Sequence, residues 1–432
     1  MGMTDMTDAI AEKGVGQQIY QMMAELYPIC RSITGNGLRQ TMQIIQRHVP
    51  IEIHEVPTGT RVFDWTVPKE WNIRDAYIKD ADGKKIIDFQ ESNLHVLNYS
   101  IPIRTHVSLG DLKKHLFTLA DRPEWIPYRT SYYREDWGFC LRHTQFLAME
   151  EGPYEVVIDS TLEDGFLTYG EICLEGENEE EILISTHACH PSLANDNLSG
   201  VCLATMLAKQ LATVRHRFSY RFLFLPGTIG AITWLYMNER TLGKIKNGLV
   251  LTGVGDSGNI TYKKSRRGDA EIDRAARHVL GHSGRPGQIL EFSPYGYDER
   301  QYCSPGFNLP VGRLSRTPFG EYPEYHTSAD NLEFVRSDYL EDSYLAISGI
   351  LDVLENSRTY LNQNPKCEPQ LGKRGLYSSI GVNELAMLWV LNLCDGGHSL
   401  LDIAERSGMN FKVIAQAAEA LIKSRLIIEL TG

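Results

Sequence analysis

At roughly 150 residues per domain, a chain of 432 residues is expected to hold two or three domains. Hydrophobic residues make up 42% and charged residues 23%, a balance that excludes wholesale disorder. With 43 basic against 55 acidic residues the net charge is −12, so a phosphate-neutralising surface is not the default expectation. No apolar run approaches the roughly 18 residues of a membrane span. The stretch from Met1 to Val15 is polar and acidic, without the apolar core of a secretory signal. The eight cysteines are scattered, with no C-x-x-C pair, and read as reduced thiols of a cytoplasmic protein.

In chain order, Gly16 to Tyr27 and Arg39 to Val49 carry apolar residues at helical spacing around the turn Arg31 to Gly37. Ile51 to Val56 alternates as a half-buried strand. Residues 61–164 hold Trp65, Trp71, Trp125 and Trp137 and alternate short strand-like runs with turns, which predicts a β-rich inserted module. From 165 to 365, strands at Glu181–Thr186, Tyr220–Leu225, Gly248–Gly253 and Asn308–Leu314 alternate with helices. Those helices are Ser199–Leu211, Thr228–Glu239, Asp269–His278 and Ser337–Asn356. The order predicts an α/β domain with a largely parallel sheet covered on both faces, split into 15–60 and 165–365 by the insert. A polar linker at 366–375 precedes residues 376–432. There, helices at Asn383–Leu393, Leu400–Ser407 and Phe411–Ser424 are followed by an apolar strand, the winged-helix plan.

Chemistry concentrates in two segments. In Thr186-His187-Ala188-Cys189-His190-Pro191-Ser192-Leu193-Ala194-Asn195-Asp196-Asn197-Leu198-Ser199-Gly200, His187 leaves a strand end and Asp196 sits at a helix entrance. Both can therefore face one point at the carboxyl edge of the sheet. Imidazole and carboxylate together suit zinc. In Gly320-Glu321-Tyr322-Pro323-Glu324-Tyr325-His326-Thr327, His326 is again carried by a loop between a strand and a helix.

Together these segments resemble the co-catalytic zinc aminopeptidases, the family that includes two-zinc leucyl aminopeptidases and single-zinc glutaminyl cyclases. That resemblance implies a metal held by His187, Asp196 and His326. A resemblance over the whole chain rests on Cys30-Arg31-Ser32-Ile33-Thr34-Gly35, Val62-Phe63-Asp64-Trp65, Tyr133-Arg134-Glu135-Asp136-Trp137-Gly138-Phe139-Cys140 and Tyr262-Lys263-Lys264-Ser265-Arg266-Arg267-Gly268. These segments look like a bacterial aminopeptidase-like family with an inserted β domain and a C-terminal winged helix. Its members often carry a polysaccharide-biosynthesis label.

The pattern departs from two-zinc members at Gly227-Thr228, where those members carry a Glu-Glu pair of general base and ligand. A further ligand position falls near Thr252, with Asp256 four residues on, and Cys189 stands where an orienting Asp is usual. Fewer carboxylates leave less charge to neutralise two ions, so one zinc is expected, with water in an open position and His190 as a further ligand or supporting donor. Glu299, Glu324, Asp256 and Glu135 are candidates for the base that takes the proton of the attacking water, with Glu299 first. The basic run Lys263 to Arg267, with Arg266 foremost, and the loop residues Tyr297 and Arg300 are expected to meet an acidic or polar substrate group. Tyr133, in an aromatic cluster with Tyr128, Tyr132 and Trp137, is expected to meet a substrate ring.

These readings give a zinc-dependent aminopeptidase or amidase acting on a peptide or an amino-acyl or amino-sugar conjugate. The alternatives are a catalytically altered scaffold that binds a ligand or partner, and a winged-helix regulator. The winged helix has more acidic than basic residues and few groups able to reach base edges. No nucleic-acid or membrane partner is expected, and the domain is read as a protein-contact or oligomer surface.

Overall fold

The structure is a computed structural model, and it describes residues 14–376 and 383–430. Most of the segment from Met1 to Val15 and the first residues of the expected winged-helix domain therefore lie outside the described residues. An eight-stranded sheet runs in the order Glu52–Pro57, Phe166–Leu174, Ser219–Leu225, Glu181–His187, Ile245–Leu251, Val311–Ser315, Ile260–Lys263 and Gly287–Leu290. The four central strands, from Ser219–Leu225 to Val311–Ser315, are mutually parallel. Antiparallel pairings flank them on both sides.

The central strands read as unbroken apolar runs because both faces are buried. Ile182, Ile184, Tyr220, Phe222 and Phe224 enter one core, and Leu183, Leu223, Leu225 and Val250 the opposite one. Helices Val15–Leu26, Gly200–Leu211, Glu271–His282 and Ser337–Asn356 fill the first core. Ile229–Asn238 and the inserted region fill the second.

Between Glu52–Pro57 and Phe166–Leu174 the chain builds a separate four-stranded antiparallel sheet, in the order Lys85–Asp88, Glu70–Lys79, Pro153–Glu163 and Ile103–Ser108. Pro153–Glu163 and Phe166–Leu174 are consecutive strands placed in different sheets. Leu112 to Leu119 breaks into a short helical turn and a two-residue strand at Leu116–Phe117.

At the C-terminus, helices Glu384–Leu393, Leu400–Ser407 and Phe411–Lys423 pack with a three-stranded sheet. Its central strand is Thr359–Asn362, upstream of the expected 366–375 linker, and it pairs with Asp395–Ser399 and Ile427–Glu429. No helix among the described residues is long and apolar enough to cross a membrane.

Candidate metal centre

His187 ends the Glu181–His187 strand, and the turn Ala194–Ser199 brings Asp196 beneath it before the helix Gly200–Leu211 begins. The residues around Asp196 are engaged with the scaffold. Asn195 accepts from Gly255 N–H at 2.8 Å and donates to Asp256 Oδ2 at 2.9 Å. Asn197 donates to Thr186 Oγ1 at 2.8 Å and to the Leu251 carbonyl at 3.1 Å. Ser199 Oγ donates to the Asn195 carbonyl at 2.6 Å. Gly200 follows because a Cβ there would stand 2.6 Å from the Leu251 carbonyl oxygen. Asp196 alone is left to serve the crevice, while its backbone N–H donates to Asp330 Oδ2 at 2.9 Å.

Three imidazoles converge on the fully buried Asp196 carboxylate. His187 Nε2 lies 2.9 Å from Oδ1, His190 Nδ1 lies 3.2 Å from Oδ2, and His326 Nε2 lies 3.1 Å from Oδ2. Burial alone would raise the Asp196 carboxyl, but the surrounding imidazoles outweigh it and hold the group well below the usual range. Burial likewise opposes charge on His190, and the Asp196 and Cys189 side chains outweigh that and hold it well above the ordinary histidine range. Burial lowers His326. Asp330 behind the turn is pushed up to about 7 by burial, against the N–H bonds it accepts from Asn195 and Asp196.

This donor set fits a zinc ion. Asp196 Oδ2 and His326 Nε2 are buried without a conventional hydrogen-bond partner, and the imidazole and carboxylate chemistry is that of a three- or four-ligand site. Ligand atoms of His187, His190 and Asp196 all lie within 4.8 Å of one another, a grouping that takes in His190 but not His326.

Aromatic rings fix the imidazoles. Tyr297 stacks on His187 with centroids 5.1 Å apart, and Tyr325 stacks on His326 at 4.0 Å. Tyr297, expected to meet substrate, is thus packed on a residue of the cluster. Tyr325, adjacent to His326 in sequence, is a neighbour that the sequence reading passed over.

The other expected residues are distributed more widely. Glu299 is buried, but its Oε1 accepts from Lys263 Nζ at 3.0 Å, and Arg313 Nη1 lies 3.9 Å away. Asp256 is also buried. Its carboxylate accepts from Asn195, from Gly258 N–H at 2.7 Å and from Thr317 Oγ1 at 2.6 Å, all scaffold bonds. Glu324 is half-buried and borders a small hollow with Trp125 and Ser328. Glu135 is exposed, 3.7 Å from Lys69.

The basic run divides. Lys263 pairs with Glu299 and Lys264 with Glu291, while exposed Arg266 and Arg267 hydrogen-bond Asn308. Arg300 keeps a buried Nε without a partner. Tyr133 is 50% exposed and packs edge-on to Trp65.

The acid next to Glu299 was not anticipated. Asp298 is buried, its Oδ1 accepts from Thr228 N–H at 2.7 Å, and its Oδ2 has no partner. Burial raises its carboxyl, and His187 and the Thr228 N–H offset only part of that rise. Thr228 is the middle of a γ-turn. Its φ is +65° and ψ −73°, and Ile229 N–H donates to the Gly227 carbonyl at 2.8 Å. Asp298 therefore brings a carboxylate to the Gly227-Thr228 turn, which carries no acid of its own. Only the folded contact between two distant loops could reveal this.

A family model described as a domain of unknown function (DUF4910) matches residues 20–357, and a winged helix-turn-helix model matches 358–429. A Clostridium acetobutylicum protein is 56% identical over 418 residues, covering 95% of this chain and 96% of its own length. Its name assigns it provisionally to polysaccharide biosynthesis and notes an aminopeptidase-like domain. A crystal structure from C. acetobutylicum, of a protein provisionally named a peptidase, superposes with a TM-score of 0.96 at 54% identity. It covers 99% of this chain and 100% of that one. BSAP, a zinc aminopeptidase from Bacillus subtilis, shares the fold with a TM-score of 0.58 at 12% identity, covering 78% of this chain and 94% of its own. The peptidase M28 precursor from Shewanella amazonensis does so at 0.57 and 14%, covering 84% and 98%.

Proposed function

The chain belongs to the DUF4910 family, and from the geometry of its site we propose that it is a metal-dependent hydrolase of the aminopeptidase type. Its substrate is an amide in a peptide or in an amino-acyl or amino-sugar conjugate, and its working compartment is the cytoplasm. The observation that carries this reading is the convergence of His187, His190 and His326 on one buried carboxylate, Asp196, at the carboxyl edge of a zinc-aminopeptidase-like sheet. The aminopeptidase-like domain named in the C. acetobutylicum relative supports the reaction class, and its polysaccharide label favours an amino-sugar conjugate.

One zinc would be held by His187, Asp196 and His326, with His190 beside them. When bound, zinc supplies a Lewis acid for the scissile carbonyl and an acidified water. Asp298 takes the part first expected of Glu299, whose carboxylate is engaged by Lys263. Its free Oδ2 accepts the water's proton and returns it to the leaving amine, while Thr228 N–H holds Oδ1 in place. Tyr297, stacked on His187, walls the substrate side. Arg300, with its unpartnered Nε, offers a donor to a polar substrate group.

The split domain at 15–60 and 165–365 carries this chemistry, the 61–164 module closes over it, and the 376–432 region is a protein-contact unit. A second reading, a scaffold that binds without catalysis, is favoured by the lack of acids at Gly227, Thr228 and Thr252.

Elemental analysis of the purified protein, with hydrolysis of aminoacyl and N-acyl amino-sugar panels, separates the two. The hydrolase reading expects bound zinc, lost in His187→Ala, Asp196→Ala and His326→Ala, and turnover that follows the metal. Protein that takes up zinc yet stays inert on both panels favours the binding scaffold.

A further inference from the structure

The residues that set His190 and His326 do not all come from the sheet. The inserted segment Ile126–Tyr128 runs beside His326–Ser328. Tyr128 N–H donates to the His326 carbonyl at 2.8 Å, and Ser328 N–H donates to the Ile126 carbonyl at 2.8 Å. Pro127 and Thr327 are bridged antiparallel, and Ile126 N–H donates to Ser328 Oγ at 3.0 Å. Arg122 Nη1 adds a bond to the Pro323 carbonyl at 2.9 Å. His326 itself has φ +55°, a left-handed conformation disfavoured for residues with a Cβ, so it depends on these cross-segment bonds.

The Tyr128 ring completes a triangle. It stands edge-on to His190 with centroids 5.2 Å apart and to His326 at 5.1 Å, while the two imidazoles are 5.2 Å from each other. The Tyr128 hydroxyl meets the Tyr132 hydroxyl at 2.9 Å, and Tyr132 donates to Asn98 Oδ1 at 3.3 Å. Ser32 Oγ donates to the same oxygen at 2.6 Å, and Asn98 Nδ2 donates to the Arg31 carbonyl at 2.9 Å. Arg31 Nε then donates to the His190 carbonyl at 2.8 Å. A closed path thus runs from the Cys30–Gly35 motif through the insert to both histidines. His187, on the strand end and stacked on Tyr297, joins it only through His190, whose ring it meets edge-on at 5.0 Å.

We propose that Tyr128 is a positioning residue of the centre, its ring holding His190 and His326 against Asp196, so that the insert is part of the site. The proposal rests on the metal-centre reading for its purpose, but its test does not need the metal.

In metal-free full-length protein labelled with ¹⁵N-histidine, assigned through His190→Gln and His326→Gln, Tyr128→Leu is expected to move the imidazole signals of His190 and His326. The remote His216 stays in place. Tyr128→Phe, which keeps the ring, restores the wild-type positions. Cobalt titration of the same proteins expects affinity about 10- to 100-fold weaker in Tyr128→Leu, as for other residues that orient metal-bound histidines. Unmoved His190 and His326 signals in Tyr128→Leu overturn the proposal, as does an equal disturbance at His216. Should Tyr128→Leu fail to fold, Ser328→Ala decides: it displaces the His326 signal if the cross-segment pairing holds that residue, and leaves it unmoved if the proposal is wrong. Wild-type protein that takes up no cobalt removes the metal reading, while the imidazole signals still decide the role of Tyr128.

Discussion

Two adjacent acids, Asp298 and Glu299, are both buried, yet their partners assign them different work. Glu299 neutralises Lys263 and lies near Arg313, so Glu299→Gln strands a buried cation. Such a change is expected to cost about 3–5 kcal/mol in denaturant unfolding while zinc uptake persists. Asp298 spends one oxygen on Thr228 N–H and keeps the other free. Asp298→Asn is expected to keep the fold and the metal and to lower turnover by about 10²- to 10⁴-fold, the usual share of a general base. Turnover lost in Glu299→Gln but kept in Asp298→Asn would return the base role to Glu299. His187, Asp196 and His326 were legible as residues because their types and spacing match a family pattern. The proposed base was not, because Asp298 meets Thr228 only through the fold.

At the scale of elements, the turns around the site carry the strain and the strands supply the rigidity. Thr228 sits at φ +65° between the Ser219–Leu225 strand and the Ile229–Asn238 helix. A left-handed non-glycine residue costs about 1–3 kcal/mol, and glycine's extra freedom in the unfolded chain returns part of any relief. Thr228→Gly is therefore expected to raise stability by about 1 kcal/mol, read as a higher midpoint in thermal unfolding. An unchanged or lower midpoint would show that the Thr228 side chain stabilises the turn. Strands Glu181–His187 and Ser219–Leu225 were readable as apolar runs because each buries both faces. Phe166–Leu174 carries Thr168, Gly170 and Glu171 among its apolar residues and lacks such a run, and its place is set by pairing on either side.

Across the whole molecule, the winged helix is docked on the α/β body through the end that such domains present to DNA. His278 Nε2 accepts the N–H of Phe411, the first residue of the third helix, at 3.0 Å. Arg274 reaches Asp402 and Glu405. With that end occupied and the chain at −12, DNA binding is expected to be undetectable in a gel-shift series from low to physiological salt.

The same contact is expected to be acid-sensitive. Burial, reinforced by the neighbouring His282, lowers His278 to about 4 from an ordinary 6.5, with Glu405 pulling the other way. The unfolded chain then binds more protons between those values. The contact's contribution is complete above about pH 6.5 and is lost as pH falls towards 4. Thermal unfolding across that range is expected to show a steeper acid decline in wild type than in His278→Gln. Parallel curves would remove His278 from the contact's pH response.

By itself the sequence determined which stretches form the buried strands and the amphipathic helices, because apolar periodicity is a local property. His187, Asp196 and His326 were legible there too, because their types and spacing match the pattern of a family the chain resembles. Tertiary structure decided what each charged or aromatic side chain is for. Glu299 and Glu324 look alike along the chain, and so do Tyr128 and Tyr133. A group's role depends on whether burial leaves it a partner, and partners such as Thr228 for Asp298 or His326 for Tyr128 come from loops far apart in sequence.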